Sequence, residues 1–533
     1  MPIRSRFSPA TVLAAVVAAA FAVPGLVVLW RAWRANIAYD ELWADLLAPL
    51  WRTVQLATLV SATTAVLGTG LAWLLVRTDL PARRLWRLVL VLPLALPSFV
   101  GAAAFIAGIS PGGLLHEVSG WFGLTPPRRL RGLGVSWFVL TAFTYPYVLL
   151  PVSARFLALR PSLEESSRML GRGSWETFAR VTLPQLRSAI LGGALLVYLY
   201  CVSEFGAVQL LGYDTLTRVV YATRLVDRAT SFAASAILLV LAVSVVALER
   251  SQRGPSTVDV EAGRRARPVR LGWKAIPATL ACAFVALVGL VTPVVSLAIW
   301  ARRGLAAGRV DLGDLTAPAL NTASVAVVTA VVAVLVVLPV AIATTRRRSK
   351  VGTISAGSVV VGFALPGLVI ALALASVTLN TPVLAPLYQT TTLLVIAYVV
   401  HFGSQALAST EQSLRAVPEG LRESSRLLEG SAIRRVLRVD LPLMRPGVLA
   451  GAGLVLLATV KELPATLLLA PIGFSTLATE VWGSYEEGFY AETGAAAIAL
   501  LLLSGVLTWI LVLRRSSLVT ERSGRSPGNP ARW

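Results

Sequence analysis

Two glutamates lie inside long apolar stretches of this chain, where ionisable side chains are rare. Glu204 falls within residues 186–212, and Glu462 falls within residues 444–471. A carboxylate in such a segment is costly, so it usually faces a cavity or a polar partner. Carboxylate oxygens suit hard cations. Pro464 would interrupt a helix just after Glu462. These three residues are therefore candidates for lining a polar path between apolar helices.

A second interpretation of the same glutamates is equally open. Glu204 and Glu462 could simply form hydrogen bonds to neighbouring helices. Direct ligation of a metal by this pair is the weaker expectation. The only two histidines, His116 and His401, are isolated in the sequence and are expected to be structural or exposed in loops. No resident metal site is predicted.

The elements that carry these residues are apolar runs of membrane-spanning length. The chain of 533 residues is 56% hydrophobic and only 14% charged. A bilayer-spanning helix needs about 20 apolar residues, and helices satisfy their own backbone hydrogen bonds in lipid. We predict an all-α integral membrane protein in the lipid bilayer with twelve spans. The predicted spans are 9–31, 52–76, 85–110, 134–154, 186–212, 231–249, 275–300, 320–344, 353–379, 390–410, 444–471 and 492–513.

The formal charge of +21 is better explained by membrane topology than by nucleic-acid binding. Cytoplasmic loops of membrane proteins are rich in Lys and Arg, and the chain lacks basic stretches interleaved with aromatic residues of the kind that stack bases. With both termini placed in the cytoplasm, most of the 48 Lys and Arg fall on the cytoplasmic side. The expected location is the bacterial cytoplasmic membrane.

The chain repeats itself. Glu165-Ser166-Ser167-Arg168 recurs as Glu423-Ser424-Ser425-Arg426, and Glu204 recurs as Glu462, both 258 residues later. Each half holds six predicted spans, an even number, so the halves enter the membrane in the same sense, as parallel repeats. The predicted modules are residues 1–250 and 274–515, joined by a polar cytoplasmic linker at 251–273 and followed by a tail at 516–533 that is expected to be disordered.

A matching polar segment follows the fourth span of each half, at about residues 155–184 and 411–442. Each contains a glutamate, two serines, and a Leu-Pro pair whose proline lies 19 residues after the glutamate. Each is helical in pattern but too short and polar to cross a bilayer, and is suited to docking on a cytoplasmic partner. The residues concerned are Glu165, Ser166, Ser167, Gly171, Leu183 and Pro184, and in the second half Glu423, Ser424, Ser425, Gly430, Leu441 and Pro442.

These segments resemble the coupling loops of binding-protein-dependent ABC import permeases. The family pattern is Glu-Ala-Ala, three residues, Gly, and then a hydrophobic residue before Leu-Pro. Both halves depart from it with Ser-Ser in place of Ala-Ala. The second half also places Glu429 at the glycine position, with Gly430 one residue late. The resemblance covers nearly the whole chain, because both six-span modules carry such a segment.

The resemblance implies a type I ABC importer permease fold and several partners. The segments 155–184 and 411–442 would dock two copies of a cytoplasmic ABC ATPase, so one permease chain would suffice per complex. The chain lacks a G-x-x-x-x-G-K-[ST] phosphate loop, so ATP and Mg²⁺ are expected in the partner ATPase, and this chain is expected to bind no cofactor. An extracytoplasmic solute-binding protein would deliver the substrate.

The fused double arrangement narrows the expected cargo. The stretches 203–221 and 461–482 resemble segments of iron(III) permeases. Permeases for thiamine, sulfate, polyamine or phosphonate are the alternatives within the superfamily. A secondary active transporter with parallel repeats is the alternative from another class, and it would need no ATPase. A membrane enzyme has little support, because no helix presents an obvious catalytic set.

Overall fold

The computed structural model describes residues 9–35, 39–123, 130–159, 161–252, 268–346, 349–417, 420–421, 434 and 436–508. Across these residues the secondary structure is helical, apart from one isolated parallel bridge between Thr78 and Val269. Val269 lies within the linker predicted at 251–273, most of which is outside the described residues. The predicted tail at 516–533 lies wholly outside them.

The described part of the first half contains thirteen α-helices. They are α1 (Pro9–Arg34), α2 (Tyr39–Arg77), α3 (Arg83–Val89), α4 (Ser98–Ile109), α5 (Leu114–Trp121), α6 (Leu133–Thr144), α7 (Pro146–Ala158), α8 (Pro161–Met169), α9 (Ser174–Thr177), α10 (Leu183–Ser203), α11 (Gly206–Leu210), α12 (Leu216–Thr223) and α13 (Arg228–Gln252).

The described part of the second half contains ten α-helices. They are α14 (Ala275–Ala286), α15 (Thr292–Ala306), α16 (Thr316–Thr345), α17 (Lys350–Ala364), α18 (Gly367–Asn380), α19 (Thr391–Ala416), α20 (Leu441–Val460), α21 (Pro464–Leu469), α22 (Leu477–Glu486) and α23 (Tyr490–Thr508). Short π-helical turns at Phe178–Thr182 and Val436–Asp440 precede α10 and α20.

Ten helical segments of the described chain are long and apolar enough to cross a membrane, and two bent helix pairs bring the total to twelve. This agrees with the predicted twelve spans, six in each half, and with the all-α fold class. Successive spans run in opposite directions. Hence α8, which follows the fourth span, lies on the side where α1 begins. We call that side the N-terminal face and the other side the opposite face.

The third span of each half is bent sharply rather than continuous. The chain turns by 95° between the segments Arg83–Ala95 and Ser98–Ile109, and by 107° between Lys350–Ala364 and Gly367–Asn380. Leu96 and Leu365, which precede the prolines, are extended, because a residue before proline avoids the helical region. The spans predicted at 85–110 and 353–379 are therefore present as bent helix pairs, and their bends were not predicted from the sequence.

The fifth span of each half is also interrupted. α10 ends at Ser203, and the extended Glu204 precedes α11. α20 ends at Val460, and Pro464 begins α21. The interruption predicted from Pro464 is present. The same break occurs without a proline in the first half, within the span predicted at 186–212, where no interruption was predicted from the sequence.

The two halves interlock through their first spans. α1 of the first half packs against α16, α17 and α18 of the second. Phe21 of α1 is buried and lies against Gly362 and Gly403. In the reciprocal contact α15 packs on α4, and Trp300 Nε1 donates a hydrogen bond to the Ala107 carbonyl oxygen at 3.0 Å. This exchange brings the broken third and fifth spans of both halves together.

Candidate functional site

A cavity of about 440 Å³ lies between the halves where these broken spans meet. Most of its wall is apolar, with aromatic and leucine side chains from both halves. Its polar lining residues include Glu204 of the first half and Glu462 of the second, and Pro464 lies in the same wall. The three residues predicted from sequence to lie on one path are therefore brought together.

Glu204 joins two helix starts in the first half. Its Oε2 accepts a hydrogen bond from Ser98, the first residue of α4, at 2.7 Å. Its Oε1 accepts from the backbone N–H of Ala207, in the first turn of α11, at 2.8 Å. Tyr200 extends the network by donating to Ser98 Oγ at 2.9 Å. A carboxylate at helix N-termini satisfies free N–H groups and complements the helix dipoles.

Glu462 occupies the equivalent position in the second half. Its Oε1 accepts from the backbone N–H of Ala465 at 2.9 Å, and its Oε2 accepts from the hydroxyl of Thr466 at 3.0 Å. Gly367, the first residue of α18, lies so close that a Cβ there would be 2.7 Å from Glu462 Oε1. The second carboxylate thus lies between the starts of α18 and α21, as Glu204 lies between those of α4 and α11.

This geometry favours a capping role for both glutamates over metal ligation. All four carboxylate oxygens already accept hydrogen bonds from the chain itself. Within the described part of the chain, no group of three or more His, Cys, Asp and Glu side chains is placed to hold a metal ion. The hydrogen bonds therefore assign both carboxylates to the helix starts around the cavity.

Lys461, His401 and Gln405 also line the cavity, and the sequence did not single them out for it. Lys461 donates from Nζ to the Leu94 carbonyl oxygen of the other half at 2.7 Å. His401, which was expected to be structural or exposed, lines the cavity with Gln405, one helical turn later on α19. The four-residue spacing of His401 and Gln405 within an apolar span places both on one helix face, and this was the sequence signal for a polar cavity wall.

The first coupling segment, at residues 155–184, contains a short helix, α8, that ends in a glycine turn. α8 carries Glu165, Ser166 and Ser167, and Gly171 adopts φ +82°, a left-handed conformation that favours glycine at a helix C-terminus. Ser167 is buried and shares a 3.1 Å hydrogen bond with Thr177, whereas Glu165 and Ser166 are exposed.

The exposed side of this segment also carries large apolar side chains. Met169, Leu170 and Trp175 are 89%, 79% and 77% exposed. An exposed apolar patch with a polar rim is typical of a protein contact. Glu165, Ser166 and these three side chains therefore form one exposed surface on the N-terminal face.

The buried side of α8 is anchored to the membrane helices by an ion pair. Arg77, the last residue of α2, pairs with Glu164, and Thr182 donates to Glu164 Oε1 at 3.0 Å. Both charged side chains are buried. Leu183 and Pro184 then begin α10 directly, so a movement of α8 is linked to the second and fifth spans.

The second coupling segment falls mostly outside the described residues. This applies to Glu423, Ser424, Ser425 and Gly430, whose roles stay predictions. Leu441 and Pro442 begin α20, just as Leu183 and Pro184 begin α10.

An equivalent ion pair is nevertheless present in the second half. Arg346, just after α16, pairs with the buried Asp440. Arg346 follows Arg77 by 269 residues, the same offset that relates Pro366 to Pro97. The shared offset of 269 residues indicates from sequence that Arg77 and Arg346 are equivalent positions in the two halves. The acid could not be found this way, because Asp440 corresponds to Thr182 and not to Glu164.

Comparison with known proteins agrees with this architecture. The family described as binding-protein-dependent transport system inner membrane component matches residues 64–253 and again residues 336–515. The chain is 29% identical over 473 residues to the Fe(3+)-transport system permease protein FbpB 2 of Haemophilus influenzae, covering 87% of this chain and 89% of that protein.

Shorter relatives match about one third of the chain. The molybdenum transport system permease protein ModB of Azotobacter vinelandii is 31% identical over 167 residues, which are 31% of this chain and 73% of that protein. The sulfate transport system permease protein CysW of Escherichia coli is 31% identical over 169 residues, which are 31% of this chain and 56% of that protein.

The two matches to the family cover more than half of the chain. This protein therefore belongs to the inner membrane components of binding-protein-dependent transport systems, the permease subunits of ABC importers, with two permease units in one multi-pass chain.

Proposed function

We propose that this chain forms the entire translocation pathway of an iron(III) importer, powered by a separate ATPase. The observation that carries the proposal is the pairing of two broken-helix modules around one cavity, with the first coupling segment exposed on the N-terminal face. A pathway built from both halves of one polypeptide needs no second permease chain.

Two copies of a cytoplasmic ABC ATPase would bind the two coupling segments. The exposed apolar side chains Met169, Leu170 and Trp175 suit a hydrophobic groove on such a partner. The Arg77–Glu164 and Arg346–Asp440 pairs would transmit its closure to the spans on either side of the cavity. This arrangement requires the N-terminal face to be cytoplasmic, in keeping with the excess of basic residues in the loops assigned to that side.

Iron(III) is proposed as cargo because the Haemophilus influenzae permease resembles this chain along nearly its full length, fusion included. An extracytoplasmic binding protein would supply the selectivity, since both glutamates in the cavity are occupied by helix capping. The cavity itself would let the delivered ion pass without a tight site.

An oxyanion is the second candidate cargo, on one specific observation. Lys461 places an amino group in the cavity wall, while the carboxylate oxygens are occupied. The molybdenum and sulfate permeases are also similar to single halves of this chain. The positive charge of Lys461 would attract an oxyanion and repel a bare ferric ion.

The two cargoes are separated by ATPase stimulation in a reconstituted complex. The complex would contain this chain, its ATPase and its binding protein in proteoliposomes. We expect ATP hydrolysis to rise when the binding protein is loaded with ferric ion, and to stay basal with molybdate or sulfate. Stimulation by an oxyanion and none by iron would replace the iron proposal with the second candidate.

A further inference from the structure

A groove of about 310 Å³ lies at the opposite face, away from the coupling segments. It is formed by the end of α1, the start of α13 and the outer part of α18 from the second half. Four arginines line it: Arg31, Arg34, Arg224 and Arg228. Arginines are disfavoured on the non-cytoplasmic side of a membrane protein, so four around one groove call for an explanation.

These arginines have few partners of their own. Among the residues that the structure describes, no carboxylate lines the groove. Arg31, Arg34 and Arg228 form no ion pair with any side chain that the structure describes, and Arg31 Nε is buried without a hydrogen bond. Arg224 donates to the Tyr221 carbonyl and stacks over the Tyr221 ring. Asp227, their neighbour in sequence, accepts instead from the N–H of Thr230 at 3.1 Å.

The repeat provides an internal comparison. In the first half Arg34 lies over the Trp30 ring, 4.7 Å from its centroid, and in the second half Arg303 lies 5.7 Å from the centroid of Trp300. Arg303 is neutralised by Glu117, at 2.9 Å. The groove holds three more arginines beside Arg34, all from the first half, and its described lining contains no carboxylate. The negative charge that Glu117 supplies at Arg303 has no counterpart in the described lining of the groove, so a bound anion is left to supply it.

The remaining wall of the groove indicates the form of that negative charge. Leu372, Leu379, Leu468 and Phe232 face the groove beneath the arginines. Leu379 is 52% exposed, and Trp33 beside the groove is 80% exposed, so the apolar wall continues to the lipid-facing surface. Arginine binds phosphate oxygens through paired hydrogen bonds. A soluble anion would leave the leucine wall unused, whereas a phospholipid would use both parts.

We propose that this groove binds an anionic phospholipid, with its phosphate among the four arginines and an acyl chain along the leucine wall. The bound lipid joins the first half to α18, whose other end begins beside Glu462 in the central cavity. Lipid binding therefore stabilises the contact between the halves at the opposite face. The proposal does not depend on which cargo the importer carries.

Native mass spectrometry of the full chain, delipidated in detergent, tests the site. Phosphatidylglycerol is titrated in parallel with zwitterionic phosphatidylethanolamine and with inorganic phosphate. We expect phosphatidylglycerol to bind at least about tenfold more tightly than phosphatidylethanolamine, a difference of about 1.4 kcal/mol. The variant Arg31→Gln/Arg34→Gln/Arg228→Gln should lose this preference. The control Arg302→Gln/Arg309→Gln, at exposed arginines of the same face, should keep it.

Several results would overturn the proposal. Equal binding of the two lipids, or equal loss in the groove variant and the control, would remove the site. Displacement of phosphatidylglycerol by inorganic phosphate at similar concentration would make it a site for a free anion. If the triple variant fails to fold, the single variant Arg228→Gln and the shift in thermal unfolding of the wild-type chain with each lipid decide the question. No greater shift with phosphatidylglycerol would then contradict the proposal.

Discussion

Glu204 and Glu462 show how a glutamate can be accommodated among apolar helices by hydrogen bonds to helix starts. Each carboxylate lies at the junction of two half-helices and accepts hydrogen bonds from the first turn of the helix that follows it. Four helices begin at the centre of the molecule, and each beginning leaves backbone N–H groups without helical partners. The glutamates supply acceptors where water would otherwise be needed.

A capping role predicts different effects for two substitutions at Glu204. Glu204→Leu removes the acceptor for Ser98 and for the Ala207 N–H, and should lower stability by about 1–3 kcal/mol for each buried donor left unpaired. Glu204→Gln keeps an acceptor and should retain most of the stability and the uptake. Thermal unfolding in detergent and uptake in proteoliposomes measure the two effects.

Glu486→Gln is the control for Glu204, because Glu486 is an exposed glutamate of the opposite face. It should leave both the unfolding midpoint and uptake unchanged. A folded Glu204→Gln variant that has lost uptake would show that the charge itself is needed, and would contradict the capping account.

At the scale of elements, the third and fifth spans carry the special geometry of the site. A Leu-Pro pair breaks the third span in each half, and a glutamate junction breaks the fifth. The broken ends meet because α18 and α21 begin within reach of one carboxylate. This packing leaves no room for a side chain on the first residue of α18.

Gly367→Ala tests that close approach. The added Cβ would lie 2.7 Å from Glu462 Oε1, so the carboxylate must move and α21 loses its cap. We expect a loss of about 1–3 kcal/mol, as for other overpacked sites. Gly357→Ala, in the neighbouring α17 with open space around it, should be neutral or stabilising by up to about 1 kcal/mol. Equal effects of both changes on the unfolding midpoint would reject this packing.

The anchor of α8 makes a separate prediction for two adjacent glutamates. Glu164→Ala leaves Arg77 buried without its partner, which typically costs about 3–5 kcal/mol. Glu165→Ala removes an exposed side chain and should leave stability unchanged. Thermal unfolding, with limited proteolysis around residues 161–184, measures both. If Glu165→Ala were the destabilising change, the assignment of the two faces of α8 would be reversed.

The sequence predicts the elements better than their contacts. Apolar runs reveal the spans because lipid allows little else, and the 258-residue offset reveals the two coupling segments. The bends at Leu96–Pro97 and Leu365–Pro366 were visible as repeated motifs, but a proline can also lie in a merely kinked span. The Arg346–Asp440 pair could not be predicted from the Arg77–Glu164 pair. The two arginines are at equivalent positions, but Asp440 and Glu164 belong to different elements of the repeat.

At the scale of the whole molecule, two similar halves build one asymmetric pathway. The first span of each half packs on the other half, so the cavity wall belongs to both. The halves differ in their charged residues. Only the second half contributes a lysine, Lys461, to the described cavity wall. The pair of Glu117 with Arg303 has no counterpart in the described lining of the arginine groove. Two identical subunits would carry each of these features twice, whereas the two halves of the fused chain can differ.

The central claim is that a separate ATPase drives transport through both coupling segments of this one chain. The most direct measurement is uptake of the substrate carried by the cognate binding protein into proteoliposomes that contain the ATPase. Wild type is compared with Glu165→Ala/Glu423→Ala. We expect uptake by wild type to require ATP and the ATPase. In the double variant ATP hydrolysis should persist while uptake falls about tenfold or more, within the usual range of coupling free energies. Uptake down an ion gradient without the ATPase, or wild-type uptake by the double variant, would contradict the account.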